Sequence, residues 1–232
     1  MSNSNKLIAI IPGALNTDYT LDGVTFVGAG EQSSGTGFDI GPGGKSGNVA
    51  RMMATYWGDS GRVAFIGRTL ELCQDNIHSL LAQVPVGALK EAGVITRYIV
   101  EVPYKEGLRG GTALIPVDKS AQNQIYTFSG VNEQFCPKDI NNARPLFEAA
   151  REGIMPITLE VSLETMISAA KIAKENNILV VLDTGGIDGI QNKDSLANLL
   201  QMVDIIKPNE HEVRYLTDVE VTDLNSARDA GA

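Results

Sequence analysis

Residues 41–48, Gly-Pro-Gly-Gly-Lys-Ser-Gly-Asn, combine small residues, a cation and an amide directly ahead of a helical pattern. Glycines let a backbone approach a ligand closely. A helix N-terminus adds unsatisfied N–H donors and the positive end of the helix dipole. Lys45 contributes charge, and the Asn48 amide can bond a hydroxyl as donor or acceptor. The segment is not a nucleotide-cradling P-loop, because Asp39 stands where that motif needs its first glycine. The competing reading is a glycine-rich turn that merely opens a helix.

Four further stretches place polar groups after apolar runs. Gly13-Ala14-Leu15-Asn16-Thr17-Asp18 follows the first run and offers an amide and a carboxylate. In open α/β sheets ligands bind beyond the carboxyl ends of strands, where such groups suit a polyhydroxylated molecule. Glu160 closes Thr158-Leu159-Glu160, and Asp183 precedes Gly185-Gly186. Asn209-Glu210-His211-Glu212 opens a helix after Lys207-Pro208. Taken singly, each has an ordinary reading as a turn former or as an acid complementing a helix dipole.

The elements that must position these groups are legible in the hydrophobic pattern. Unbroken apolar runs at residues 7–11, 63–66, 178–182 and 205–206 suit strands buried on both faces of a parallel sheet. Helical patterns at 46–56, 163–176, 196–202 and 210–216 lie between them, and one at 76–92 is divided by Pro85. The alternation predicts a doubly wound, mainly parallel α/β sheet with helices on both faces. Residues at about 21–44 and 98–128 break the rhythm and read as β-hairpin material, a small β lid on a single domain spanning 1–232. Asp223 is a candidate N-cap for a helix over Leu224–Ala230.

Composition narrows the function classes. The 232 residues carry a net charge of -9, which gives no electrostatic reason to bind nucleic acid or an anionic membrane. The apolar run near the N-terminus is too short for a span or a signal peptide. Cys73 and Cys136 lie far apart without a CxxC pair, as expected of reduced thiols in a cytoplasmic protein.

In this order the motifs resemble those of the ribokinase-like (PfkB-type) carbohydrate kinases. The resemblance rests on Gly13-x-x-Asn16-x-Asp18, on Gly43-Gly44-Lys45-x-x-Asn48-x-Ala50, on Gly130-Val131-Asn132, on Leu159-Glu160, and on Pro208-Asn209-Glu210-x-Glu212 with Leu216-Thr217. It implies a ribokinase-like fold and ATP-dependent phosphorylation of a sugar hydroxyl. It implies that Asn16, Asp18, Gly43, Gly44, Lys45, Asn48 and Glu160 bind the sugar. Asn209 and Glu212 would then serve the ATP cofactor, with Glu212 holding Mg²⁺ through water, and a homodimer would form through the lid.

The family's Thr-x-Gly-Ala-Gly-Asp motif, source of the aspartate base, is not found; Gly28-Ala29-Gly30-Glu31 matches it in letters only. The expectation is therefore a C-terminally incomplete kinase domain, inactive alone and without a catalytic residue of its own. The alternative is a non-catalytic sugar- or nucleoside-binding module of the same fold. A nicotinamide-binding site is disfavoured, because Ser33 stands where its fingerprint needs a third glycine.

Overall fold

The computed structural model describes residues 6–58, 61–191 and 193–231. Its strands are β1 (Leu7–Pro12), β2 (Asn16–Val24), β3 (Gly37–Gly43), β4 (Arg62–Leu70), β5 (Ile95–Val102), β6 (Gly111–Asp118), β7 (Tyr126–Phe128), β8 (Ile154–Thr158), β9 (Leu179–Asp183) and β10 (Ile205–Lys207). Its helices are α1 (Lys45–Trp57), α2 (Ile77–Ala82), α3 (Val84–Glu91), α4 (Pro137–Asn142), α5 (Arg144–Ala149), α6 (Leu163–Glu175), α7 (Lys193–Leu200), α8 (Glu210–Thr217) and α9 (Leu224–Ala230).

Six strands form one parallel sheet in the order β10-β9-β8-β1-β4-β5. The unbroken apolar runs are explained by burial on both faces. Successive side chains of a strand point to opposite sides. Ile10, Ala64 and Ile66 enter the core beneath α4–α7, whereas Ala9, Ile11, Val63 and Phe65 pack against α1 and α3. Pro156 lies inside β8, where it can donate no backbone bond. The β8–β9 register nevertheless runs from Ile154↔Leu179 to Thr158↔Asp183, while that with β1 is recorded at Ala9↔Ile154. Pro85 divides the 76–92 pattern as expected, falling in the first turn of α3, where its missing N–H costs nothing.

The second sheet has the order β3-β2-β6-β7 and forms the lid. Here the sequence-based expectation needs two corrections. Residues 98–102 are not lid; they belong to β5, which pairs with β4 from Ala64↔Ile95 to Leu70↔Val102 and closes one edge of the main sheet. The lid also begins at Asn16, so Asn16 and Asp18 sit on a lid strand rather than in a loop after β1. A strand-like run identifies a strand but not its neighbour, and the edge strand β5, with no fully buried residue, reads like lid material. The lid is tied down by the Thr17 hydroxyl, which donates to the Leu81 carbonyl of α2 at 2.6 Å. Among the described residues no helix is long and apolar enough to cross a membrane.

Candidate active site

The chain leaves β1 through Gly13, whose N–H donates to the Ile66 carbonyl at 3.0 Å, and turns directly into β2. Asn16 and Asp18, two residues apart, therefore share one face of the lid. Their partners across the ladders are small: Asn16 lies between Gly43 and Gly111, and Asp18 between Gly41 and Ala113. A side chain at Gly43 would overlap the Asp18 carboxylate. Asp18 is thus folded down against bare backbone. Its Oδ1 is buried and, among the described residues, is the side-chain polar atom left without a hydrogen-bond partner. Burial raises the Asp18 pKa above the ordinary carboxylate range.

Gly44 is glycine for a different reason. It precedes α1 with φ 85°, and a Cβ there would lie 2.7 Å from the Ala14 carbonyl oxygen. Glycine cannot cap a helix with a side chain, so the cap of α1 comes from far away. Glu160 Oε2 accepts from Lys45 N–H at 2.8 Å across 115 residues of sequence, and the neighbouring Ser46 amide also favours the charged form of this carboxylate. Burial raises the Glu160 pKa, with Lys45 and the two amides opposing it and Asp18 adding to it. The Ser46 hydroxyl meets the Thr158 hydroxyl at 3.0 Å in the buried space beside Gly13, pinning α1 to the end of β8.

The Lys45 ammonium lies over Gly185, where any Cβ would collide with it. Gly185 N–H in turn donates to Asp183 Oδ1 at 3.0 Å, and Lys207 donates to Asp183 Oδ2 at 3.1 Å. Burial works to raise the Asp183 pKa, but the Gly185 amide, Lys207 and Lys45 together hold it below the usual range. The Asp183–Gly185 segment is therefore the joint between the lid-facing cluster and the end of β10. Beyond it, Asn209 and Glu212 form a reciprocal capping box at the start of α8. Thr184, fully buried, donates its hydroxyl to Glu212 Oε2 at 2.6 Å, and Asn209 N–H donates to the same oxygen at 2.9 Å.

The expected residues thus divide into groups. Asn16, Asp18, Gly43, Gly44, Lys45 and Glu160 converge where β2, α1 and β8 meet, whereas Asn209 and Glu212 form a second cluster. Asn48 is exposed one turn along α1 and lines an open groove of about 710 Å³ with Arg51, Met52 and Glu91. No hydrogen bond among the described residues joins its side chain to either cluster. Thr184 joins the site without any signal in the sequence, whereas Thr158 and Asn132, which the sequence offers only as parts of Thr158-Leu159-Glu160 and Gly130-Val131-Asn132, join it through contacts with Ser46 and Asn16. Arg68 is a structural residue; its guanidinium grips Asp139 at 2.8 and 3.0 Å and ties β4 to α4. Gly28-Ala29-Gly30-Glu31 is a loop turn in which Gly28 N–H donates to the Glu31 carboxylate, with no helix following.

Comparison with known proteins places this geometry in a family. Residues 9–232 match the model of the pfkB family carbohydrate kinases. The chain is 31% identical to a ribokinase of Haemophilus influenzae over 215 residues, which is 93% of this chain and 64% of that protein. It is 30% identical to a Staphylococcus aureus ribokinase, over 81% of this chain and 55% of that one. It therefore spans less than two thirds of the length of these curated relatives. The structure of Arabidopsis thaliana ribokinase complexed with ribose and ATP superposes with a TM-score of 0.77 at 24% identity, over 97% of this chain and 67% of that one. The fold is thus ribokinase-like, and the chain belongs to the pfkB family of carbohydrate kinases.

Proposed function

We propose that the protein recognises a sugar between the lid and the main sheet and serves its ATP-dependent phosphorylation. The observation that carries this reading is the orphaned Asp18 Oδ1. A buried acceptor without a donor costs about 1–3 kcal/mol. It is best explained by a ligand hydroxyl that completes it. Asn16 beside it, the glycine backbone at 43–44 and the Lys45 ammonium suit a polyhydroxylated ligand that comes to carry negative charge. Asn48 would reach the same ligand from α1. Glu160, already accepting from α1 through Oε2, would contribute its other oxygen.

Asn209 and Glu212 serve the nucleotide side in this reading. Glu212 uses one oxygen for Thr184 and the Asn209 amide, leaving a single carboxylate oxygen for a cation. That donor set fits Mg²⁺, which keeps most of its waters and needs few protein carboxylates. Bound with ATP, Mg²⁺ neutralises phosphate charge during transfer. The chain's own part is to hold Glu212 rigid through Thr184 and Asn209, and to keep Lys45 and Lys207 beside Asp183 at the border of the two clusters. For these 232 residues by themselves the proposal is binding without turnover, because no Gly-Ala-Gly-Asp segment leading into a helix is present to act as base.

Two further parts of the reading concern surroundings. The lid face opposite Asn16 and Asp18 carries the exposed Leu21, Phe38, Ile40, Leu114, Tyr126 and Phe128, an apolar face suited to a second copy of the chain. The free thiols of Cys73 and Cys136 suit the cytoplasm.

Calorimetric titration with a panel of pentoses, hexoses and nucleosides, with and without Mg·ATP, tests the proposal. Sugar binding abolished in Asp18→Ala is the expected result. Failure of every sugar to bind would refute the site, and nucleoside binding indifferent to Mg·ATP would favour the non-catalytic alternative. Sugar-dependent ATP consumption at about 1 s⁻¹ or faster, a typical kinase rate, would refute the absence of turnover.

A further inference from the structure

We infer that Asn132 sets the hydrogen-bond polarity of the sugar subsite by holding Asn16 with its amide NH₂ outward; the inference rests on the sugar-binding reading above. Asn132 lies in the 3-10 turn Gly130–Gln134 that follows the lid, and it is buried. It pairs with the backbone of Leu15 on both sides. Leu15 N–H donates to Asn132 Oδ1 at 3.1 Å, and Asn132 Nδ2 donates to the Leu15 carbonyl at 3.1 Å.

This pairing assigns the amides by chemistry alone. A peptide N–H can only donate and a peptide carbonyl can only accept. The Asn132 atom facing Leu15 N–H must therefore be oxygen, and its other terminal atom must be the NH₂. That NH₂ also reaches the Asn16 side chain at 3.0 Å, so the Asn16 atom it meets must be Oδ1. Asn16 Nδ2, a donor, is the atom left for a ligand. Gly111 permits the arrangement, since a Cβ there would fall where the two amides meet.

The consequence is a substrate rule. Asn16 offers a donor and Asp18, on the same face of β2, offers the unpartnered acceptor Oδ1. The pair reads two hydroxyls of one ring in opposite senses: one accepts from Asn16 and the other donates to Asp18. Asn132 touches no ligand in this scheme; it is a positioning residue acting through Asn16. Asparagine suits the position because an aspartate would keep the acceptor for Leu15 N–H but lose the donor. Asn16 would then turn its own NH₂ inward and present its carbonyl oxygen to the ligand.

The test is titration of the wild type, Asn132→Asp and Asn16→Asp with D-ribose, D-xylose and D-fructose, and with the singly deoxygenated analogues of the one that binds best, with thermal unfolding in parallel. In the wild type, removing the hydroxyl that faces Asn16 should weaken binding about tenfold or more, in line with the cost of leaving a buried donor unmet. In Asn132→Asp the parent sugar should bind about tenfold or more weakly, and the penalty for deoxygenation at that one position should vanish while the others persist. A merely structural role would weaken all analogues alike and leave the pattern unchanged, which overturns the inference, as would undiminished binding. Asn16→Asp leaves the Asn132–Leu15 pairing intact and guards against a misfolded Asn132 variant. It should lose the same single penalty, and wild-type behaviour there also overturns the inference. If the wild type binds none of the three sugars, the sugar reading fails and this inference falls with it.

Discussion

The Asp18 carboxylate occupies the space in which a side chain at Gly43 would have to lie, so residues on paired strands are matched as bulk against absence. Gly43 does not have a positive φ, and alanine is compatible with its backbone. Gly43→Ala should therefore act by displacing Asp18 rather than by straining the chain. Sugar affinity is expected to fall by about tenfold or more, as for a lost hydrogen bond to a charged group, with little change in unfolding temperature. Calorimetry and thermal melts on one preparation check both halves. Gly44→Ala is the contrast: its φ of 85° and the nearby Ala14 carbonyl should cost stability as well.

Asp18→Asn should separate stability from binding. The native carboxylate is buried with one oxygen unmet, so the unliganded fold is expected to gain up to about 1 kcal/mol from neutralising it. Sugar binding should weaken at the same time. Chemical denaturation with and without sugar measures both, and a variant both less stable and fully competent to bind would contradict this account.

Binding should also depend on pH with a definite sign. Asp18 is raised by burial, and Glu160 is raised by burial with Asp18 contributing. A carboxyl raised in the folded state binds protons there more readily than in the unfolded chain. Its contribution to stability is complete below the unfolded pKa and is lost as pH rises through the folded value. A sugar hydroxyl donating to Asp18 requires the carboxylate. Sugar affinity should therefore decline as pH falls into the range just above the ordinary carboxylate pKa, and binding there should release protons. Titration in two buffers of different ionisation enthalpy detects the release, which Asp18→Asn should diminish.

Glu160 caps α1 in place of Gly44, so its removal should be felt in stability. Glu160→Ala is expected to cost about 0.5–2 kcal/mol, the usual range for a lost N-cap. Glu160→Gln keeps an acceptor for Lys45 N–H and should recover most of that loss. If the two variants unfold alike, the capping role is wrong and the carboxylate serves only the ligand.

What the sequence could disclose follows from the range of each interaction. The runs at 7–11 and 63–66 announce buried strands because both of their faces meet hydrophobic cores. Asn16, Asp18 and Gly43–Lys45 are legible because their type and local spacing already suggest a ligand. Membership of β5 in the main sheet is not legible, since a strand-like run is silent about the neighbouring strand. The partners of Asn132 and Thr184 escape for a related reason: Asn132, visible only as the end of Gly130-Val131-Asn132, meets Asn16 across 116 residues of sequence, and Thr184 meets Glu212 across 28. The capping role of Glu160 is hidden similarly, by the distance between the helix it caps and the strand that carries it.

Thr184 offers a final prediction, directed at the nucleotide side. Its hydroxyl, fully buried, donates to Glu212 Oε2 at 2.6 Å, and the Asn209 amide is the other donor to that oxygen. Thr184→Val keeps the shape and removes the donor, leaving a buried carboxylate oxygen short of a partner at a cost of about 1–3 kcal/mol. Glu212 should then be free to rotate, and it would organise a cation less well. Mg·ATP affinity is expected to fall about tenfold while sugar affinity in the absence of nucleotide stays near the wild-type value. Thr184→Ser retains the hydroxyl and should restore most of the nucleotide binding. Parallel titrations with Mg·ATP and with sugar distinguish this outcome from general unfolding, which would weaken both together; equal nucleotide affinity in the valine and serine variants would show that Thr184 does not hold Glu212 in place for the metal.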